Sequence, residues 1–457
     1  MSLLLASPLG GLLARSWVDP VGLAAMRRWY FPLSRLWAAA NAAGEDVGRF
    51  DAEIGAPLPG FWPHSYVSSL LRRNTRARLA AEIARHQWEA AVFAGLEASD
   101  AEPLDKRRRR MASRHLATRA IFYPLLFPRR PPAARWDIPD VEAVRRTFGS
   151  LLGRPADLYT APLDTGSLEV SQIFERSGLR EYWLRARTPA VRLDKWRGSE
   201  MLYARVVEPV DAASAATLIF GGGLCLEFDL FSVAKDPGSR LAALGWRVVE
   251  PISPFHGLRA MPDRYGGEPF FASAPVSTID LVAGQAIETA LLIAWCRARF
   301  GGKVALAGIS MTSFVAQQVA SYCGAWAPAS RPDGVMLISH SGRIERVTFD
   351  GVLSDALGLD RALRDGGWTP DVLESLSALF DPAAEPALPP RCIVSVLGET
   401  DRWVPYADGL DVARRWKVPD TNIFRYRLGH LGMPVQLIRD ATPFARLRQV
   451  LDDSQRQ

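Results

Sequence analysis

Apolar positions recur in two different rhythms along the chain. Before about residue 165 the rhythm is helical. Across 66–98, Arg and Glu alternate with Leu, Ile, Ala, Trp and Phe at helix-like spacing, with no proline and only Gly95 to interrupt. Residues 100–105 break the pattern. A second helical stretch, about 106–123, ends at Pro124. Pro128-Arg129-Arg130-Pro131-Pro132 then reads as a stiff extended linker, and a short helix is predicted near 141–152. After residue 165, short β-rich runs alternate with longer helical patterns. Strands are predicted at 201–207, 216–220, 247–251, 303–307, 334–339, 391–396 and 422–426, and helices at 276–300, 311–322, 407–416 and 434–451. This alternation predicts βαβ units and a mainly parallel sheet with helices on both faces. Residues 342–388 interrupt it with helical patterns of their own, at 352–357 and 370–380. An insertion at the carboxyl end of a strand is placed to cover a site there.

Composition narrows the class. The 457 residues are 48% hydrophobic and 23% charged, with 14 Trp and 20 Phe. A disordered, collagen-like or coiled-coil chain is excluded. The predicted organisation is an N-terminal, mostly helical region over 1–164 and an α/β domain over 165–457 with a cap at 342–388. No segment reaches about 18 uninterrupted apolar residues, so no membrane-spanning helix is predicted. The apolar start, 1–14, has its first charge behind it, at Arg15. That is the wrong order for a secretory leader and suits a surface helix or buried arm. Four scattered cysteines (Cys225, Cys296, Cys323 and Cys392) form no CxxC pair, which fits a reduced, cytoplasmic protein with no disulfide frame. Cys296 and Cys323 fall in apolar runs and are expected in the core.

The net charge of +6 is uneven, because residues 61–150 alone carry 17 Lys and Arg against 9 Asp and Glu. The densest run is Lys106-Arg107-Arg108-Arg109-Arg110, near the apolar Ile121-Phe122-Tyr123-Pro124-Leu125-Leu126-Phe127. Two readings follow. Either the cations are solvated while the apolar run packs on the core, or the pair makes a peripheral contact with an anionic membrane. Nucleic-acid binding would rest on the basic run alone and is not expected.

The most informative stretch is Lys303-Val304-Ala305-Leu306-Ala307-Gly308-Ile309-Ser310-Met311-Thr312. A strand runs straight into Gly-x-Ser and a helix begins at once. Gly308 permits the sharp turn, and Ser310 projects its hydroxyl from the corner at the positive end of the next helix. Such motifs usually end in glycine, where this chain has Thr312. A serine nucleophile needs a base and an orienting acid. His430, between Gly429 and Leu431-Gly432, lies beyond the last predicted strand. Asp401 follows the strand before it, with Glu399 as its competitor in the same loop. His340 also follows a strand and is a candidate pocket residue, while His256 reads as structural. Gly221-Gly222-Gly223-Leu224 ends another strand, and the amides of Met311 and Leu224 are the expected oxyanion donors.

With these residues in place, the stretch from about 165 to 452 resembles the α/β-hydrolases. The Gly221–Leu224 turn, Gly308-Ile309-Ser310, the segment around Asp401, and Gly429-His430 carry the likeness. Pro254-Phe255-His256-Gly257 and Phe349-Asp350-Gly351 are similar to the domain-18-like subgroup. The resemblance implies an eight-strand-type sheet, a Ser310–Asp401–His430 triad and ester hydrolysis without a cofactor. No HExxH, paired histidines or cysteine knuckle suggests a metal, and no GxGxxG suggests a dinucleotide. The expected activity is cleavage of a small-molecule or lipid-like carboxylic ester. An acyltransferase using the same triad, and a catalytically idle scaffold supported by Thr312, are the alternatives.

Overall fold

The computed structural model describes residues 15–55, 60–93, 98–127, 130–176, 178–212, 215–224 and 237–453. Three readings lie outside these residues: the apolar start 1–14, the first two linker positions, and Cys225. The other three cysteines are free and buried.

One sheet organises the molecule. Its strands are β1 (Glu169–Val170), β2 (Phe174–Arg176), β3 (Leu179–Arg187), β4 (Met201–Pro209), β5 (Thr217–Gly221), β6 (Arg247–Pro251), β7 (Val304–Ile309), β8 (Gly334–Ile338), β9 (Ile393–Gly398) and β10 (Ile423–Tyr426). They lie in the order β1-β3-β4-β6-β5-β7-β8-β9-β10, with β2 also on β3. From β6 to β10 every pairing is parallel. The β3–β4 and β4–β6 pairings are antiparallel. Strands β5, β7, β8 and β9 are buried along their whole length, as their unbroken apolar runs require when both sheet faces are covered.

The helices named here are α1 (Val18–Ala25), α2 (Phe31–Ala43), α3 (His64–Val92), α4 (Ala98–Ala117), α5 (Val276–Phe300), α6 (Met311–Tyr322), α7 (Tyr406–Arg415), α8 (Gly432–Arg439) and α9 (Thr442–Asp453). Helix α5 is apolar almost all round, and by length and composition it would suffice to cross a membrane. Its apolar stretch is instead wholly buried in the protein. It packs on β5 and β7, and segments Pro155–Tyr159 and Val191–Leu193 also lie against it. Gly284 is needed there, because a Cβ would stand 2.6 Å from a Leu193 methyl.

The N-terminal helices have a core of their own, in which Leu36, Phe50, Leu71 and Phe122 meet. A second contact seats α3 and α4 on the sheet. Trp88 meets Trp183 of β3 edge-on at 5.4 Å, and the Arg108 guanidinium lies 4.2 Å over Trp88. Between β8 and β9, four short helices form the insertion: Ile344–Phe349, Val352–Leu357, Leu359–Asp365 and Pro370–Glu374.

Candidate active site

The elbow is built by exclusion of side chains. A Cβ on Gly308 would lie 2.2 Å from the Thr312 carbonyl oxygen, so only glycine lets α6 turn back this closely on β7. Ser310 then sits at φ +56°, ψ −116°, in the left-handed half of backbone space that L-residues avoid. Thr312 finds its room on the neighbouring strand. Its side chain occupies the space over Gly221 of β5, where a Cβ would lie 2.8 Å from it. The Thr312 hydroxyl accepts from the Ile309 amide at 3.0 Å and lies 3.2 Å from the Ile309 carbonyl. The extra methyl and hydroxyl of threonine are therefore packed and bonded, and the elbow keeps its geometry.

The three predicted residues meet. Ser310 Oγ lies 2.8 Å from His430 Nε2, and His430 Nδ1 lies 2.7 Å from Asp401 Oδ2. With Nδ1–H donating to the carboxylate, Nε2 is left to accept the serine proton. The second Asp401 oxygen accepts the amides of Trp403 and Val404 at 2.9 and 3.1 Å, which fixes the carboxylate plane. The Trp403 indole stacks on the imidazole, with centroids 5.0 Å apart and planes 9° apart. The Asp401 and His430 loops are joined by backbone bonds from Glu399 to Tyr426 and from Thr400 to Leu428. Glu399 itself points away, half-exposed beside Arg427.

The triad and the topology agree. Ser310 follows β7, Asp401 follows β9 and His430 follows β10, all at the carboxyl ends of parallel strands and in the chain order Ser…Asp…His. The fold is that of an α/β-hydrolase. Solved structures similar to this chain include a bacterial brefeldin A esterase (17% identity, 72% of this chain and 89% of that one, TM-score 0.42). An acetyl xylan esterase from Paenibacillus sp. R4 (13%, 69% and 95%, 0.41) and an esterase from Pyrobaculum calidifontis (17%, 68% and 92%, 0.36) are others. No family model and no curated protein matches.

In this α/β-hydrolase fold the triad opens on a pocket lined mostly by apolar side chains. Its floor holds Ser310, Met311 and His430, with Leu224 beside them. Phe270, Phe271 and Phe314 form one wall. Ile344, Val347, Leu353 and Leu357 of the insertion line the pocket as well. Among the described lining residues there is no Asp, Glu, Lys or Arg. The Met311 amide opens α6 and has no acceptor among the described residues.

Two expectations need correction or addition. His340 does not line the pocket. It is buried against β9, with Nε2 2.8 Å from Ser395 Oγ, and burial pushes its pKa down to about 3. His256 is buried beside the Pro254 carbonyl, and that burial holds it down to about 4. The residue that sequence reading missed is Asp19 of α1. Its carboxylate is buried and accepts the amides of His430 at 2.6 Å and Leu431 at 2.9 Å. No local motif marks it, since its partners lie more than 400 positions away.

Proposed function

We propose that this chain is a serine hydrolase that cleaves carboxylic esters with an uncharged, apolar acyl group. The observation that carries the reading is the unbroken line from Asp401 through His430 to Ser310, ending in a pocket whose described lining residues include no Asp, Glu, Lys or Arg. Ser310 Oγ attacks the ester carbonyl carbon while His430 Nε2 takes its proton. The oxyanion faces the Met311 amide, with the Leu224 amide as second donor. His430 returns the proton to the departing alkoxide, leaving Ser310 acylated and an alcohol released. Water then attacks the acyl carbon with His430 again as base, and the acid leaves.

Thr312 gave the idle-scaffold reading its support, and its packing over Gly221 removes that support. Acyl transfer to an alcohol uses the same first half-reaction and is separated from hydrolysis by the products formed with competing acceptors. The test is a p-nitrophenyl ester series at fixed enzyme. Each added acyl methylene buried among Phe270, Phe314 and Leu353 is worth about 0.8 kcal/mol, roughly fourfold in kcat/KM, until the pocket fills. A series that is flat or falls from acetate upward overturns the apolar-acyl assignment. Absence of any fluorophosphonate adduct at Ser310 overturns the hydrolase itself.

A further inference from the structure

The first turn of α1 lies against the catalytic histidine loop. Asp19 is the only acidic residue of α1, is 8% exposed, and gives both carboxylate oxygens to successive amides of that loop. The fit allows no slack. A Cβ on Gly429 would lie 2.3 Å from an Asp19 oxygen, and a Cβ on Gly22 would lie 2.3 Å from a Leu431 methyl. Helix α1 also touches the cap helix Val352–Leu357. The helix thus contacts both the His430 loop, through its buried Asp19 carboxylate, and the cap.

We propose that Asp19 is a positioning residue for catalysis: it holds the His430 backbone so that Nε2 stays in line with Ser310, and it adds a second negative charge behind the imidazole. This inference rests on the serine-hydrolase reading. A surface carboxylate bonded to loop amides is an ordinary loop tie. Here the carboxylate is buried, bonds the base residue itself, and replaces the side chain that Gly429 lacks. Two carboxylates therefore face His430, Asp401 at Nδ1 and Asp19 at the main chain, while Ser310 and the Trp403 ring are its neutral neighbours. Burial opposes charging of both His430 and Asp19. The charges of Asp401 and Asp19 nevertheless leave the imidazole above its ordinary value, while Asp19 is itself raised by its burial despite the two amides.

Removing the charge should lower the base's pKa, and removing the second acceptor should loosen its position. The experiment measures the rate of fluorophosphonate labelling at Ser310 from pH 5 to 9, for wild type, Asp19→Asn and Asp19→Glu, with thermal melts of each. Asp19→Asn keeps the size but turns a carboxamide NH2, a donor, toward one of the loop N–H donors. Its labelling is expected to fall about tenfold or more, since small misplacements of a reacting group are costly. Its midpoint is expected to move to lower pH. Asp19→Glu keeps the charge and changes the reach, so its rate falls while the wild-type midpoint is retained. A folded Asp19→Asn that labels at the wild-type rate overturns the inference. So does one that slows with an unmoved midpoint, which is a structural effect alone. If Asp19→Asn does not fold, Asp19→Glu decides, because it retains the charge and alters only the reach. Slower labelling at the wild-type midpoint, from a protein that melts as wild type does, supports the positioning role. A wild-type rate, or slowing that only tracks a lowered melt, overturns it. If wild type itself is not labelled, the hydrolase reading has failed, and that outcome is distinct from a failure confined to Asp19.

Discussion

Ser310 is held in a backbone conformation that few serines adopt, with its hydroxyl on an imidazole. Ser310→Ala should lower ester turnover by on the order of 10⁴ without loss of folding, measured as kcat on the best ester of the acyl series. Asp401→Asn should cost roughly 10² to 10⁴ in kcat, because the asparagine amide cannot hold Nδ1 as a donor. Glu399→Gln should leave kcat unchanged, since Glu399 faces Arg427 and solvent. Equal damage from both loop substitutions would mean the orienting acid is misassigned. The pH dependence follows from the same groups. Burial alone would lower the pKa of His430, but Asp401 and Asp19 outweigh it and the value is raised. The base must be neutral to accept the serine proton. The acidic limb of kcat/KM should therefore lie above the ordinary histidine value of about 6.5. The same shift favours imidazolium in the folded state. Its contribution to stability is full below the unfolded pKa and is lost as pH rises through the folded one. Activity should rise over the window in which that contribution fades, and paired rate and melting profiles test it.

At the scale of elements, the elbow is a contact between β5 and α6 as much as a turn. Thr312 and Gly221 fill one volume between them. Gly221→Ala should reduce labelling at Ser310 and lower stability, and adding Thr312→Gly should recover much of the loss. The coupling between the two positions is expected at about 0.5–3 kcal/mol in a double-mutant cycle, and strict additivity would refute the shared volume. All seven predicted strands are present; β5, β7, β8 and β9 announce themselves as buried apolar runs, while β4 is antiparallel and β10 only half-buried. Strand β3 was not legible. Its Arg180, Glu181, Arg185 and Arg187 give it a surface-like texture, yet each meets an opposite charge: Glu175, Arg109, Glu169 and Asp194. Those partners come from other elements. The predicted helix over 434–451 is two helices. Asp440 ends the first and caps the next by accepting from the Thr442 amide at 2.9 Å, while the Tyr426 hydroxyl holds its other oxygen. Of the site, Ser310, Asp401 and His430 were readable because each follows a strand. Asp19 and Trp403 were not, because what selects them is contact in space.

Across the whole molecule, the basic run changes meaning once it is placed. Lys106 and Arg107 are exposed, with Glu102 and Gln87 beside them. Arg108 turns inward against Trp88, Trp183 and Asp105, and Arg109 bonds Asp105 and Glu181. Phe122, Leu125 and Leu126 are likewise buried, which leaves Tyr123 and Phe127 exposed. Arg108→Gln should therefore destabilise by about 3 kcal/mol or more, the scale of breaking a buried pair. Arg107→Gln should stay within about 0.5 kcal/mol. Denaturant melts decide, and equal effects would return the run to the surface. Asp19 carries a consequence for the newborn chain. Its partner lies 411 residues downstream. At roughly 5–20 residues per second of synthesis, helix α1 waits about 20–80 s for the loop it will hold. Helices α3 and α4 can pair long before then, but Ser310, Asp401 and His430 come together only when nearly the whole polypeptide has been made. A fragment released early has neither His430 nor the docking site for α1, and so leaves Ser310 without its imidazole partner.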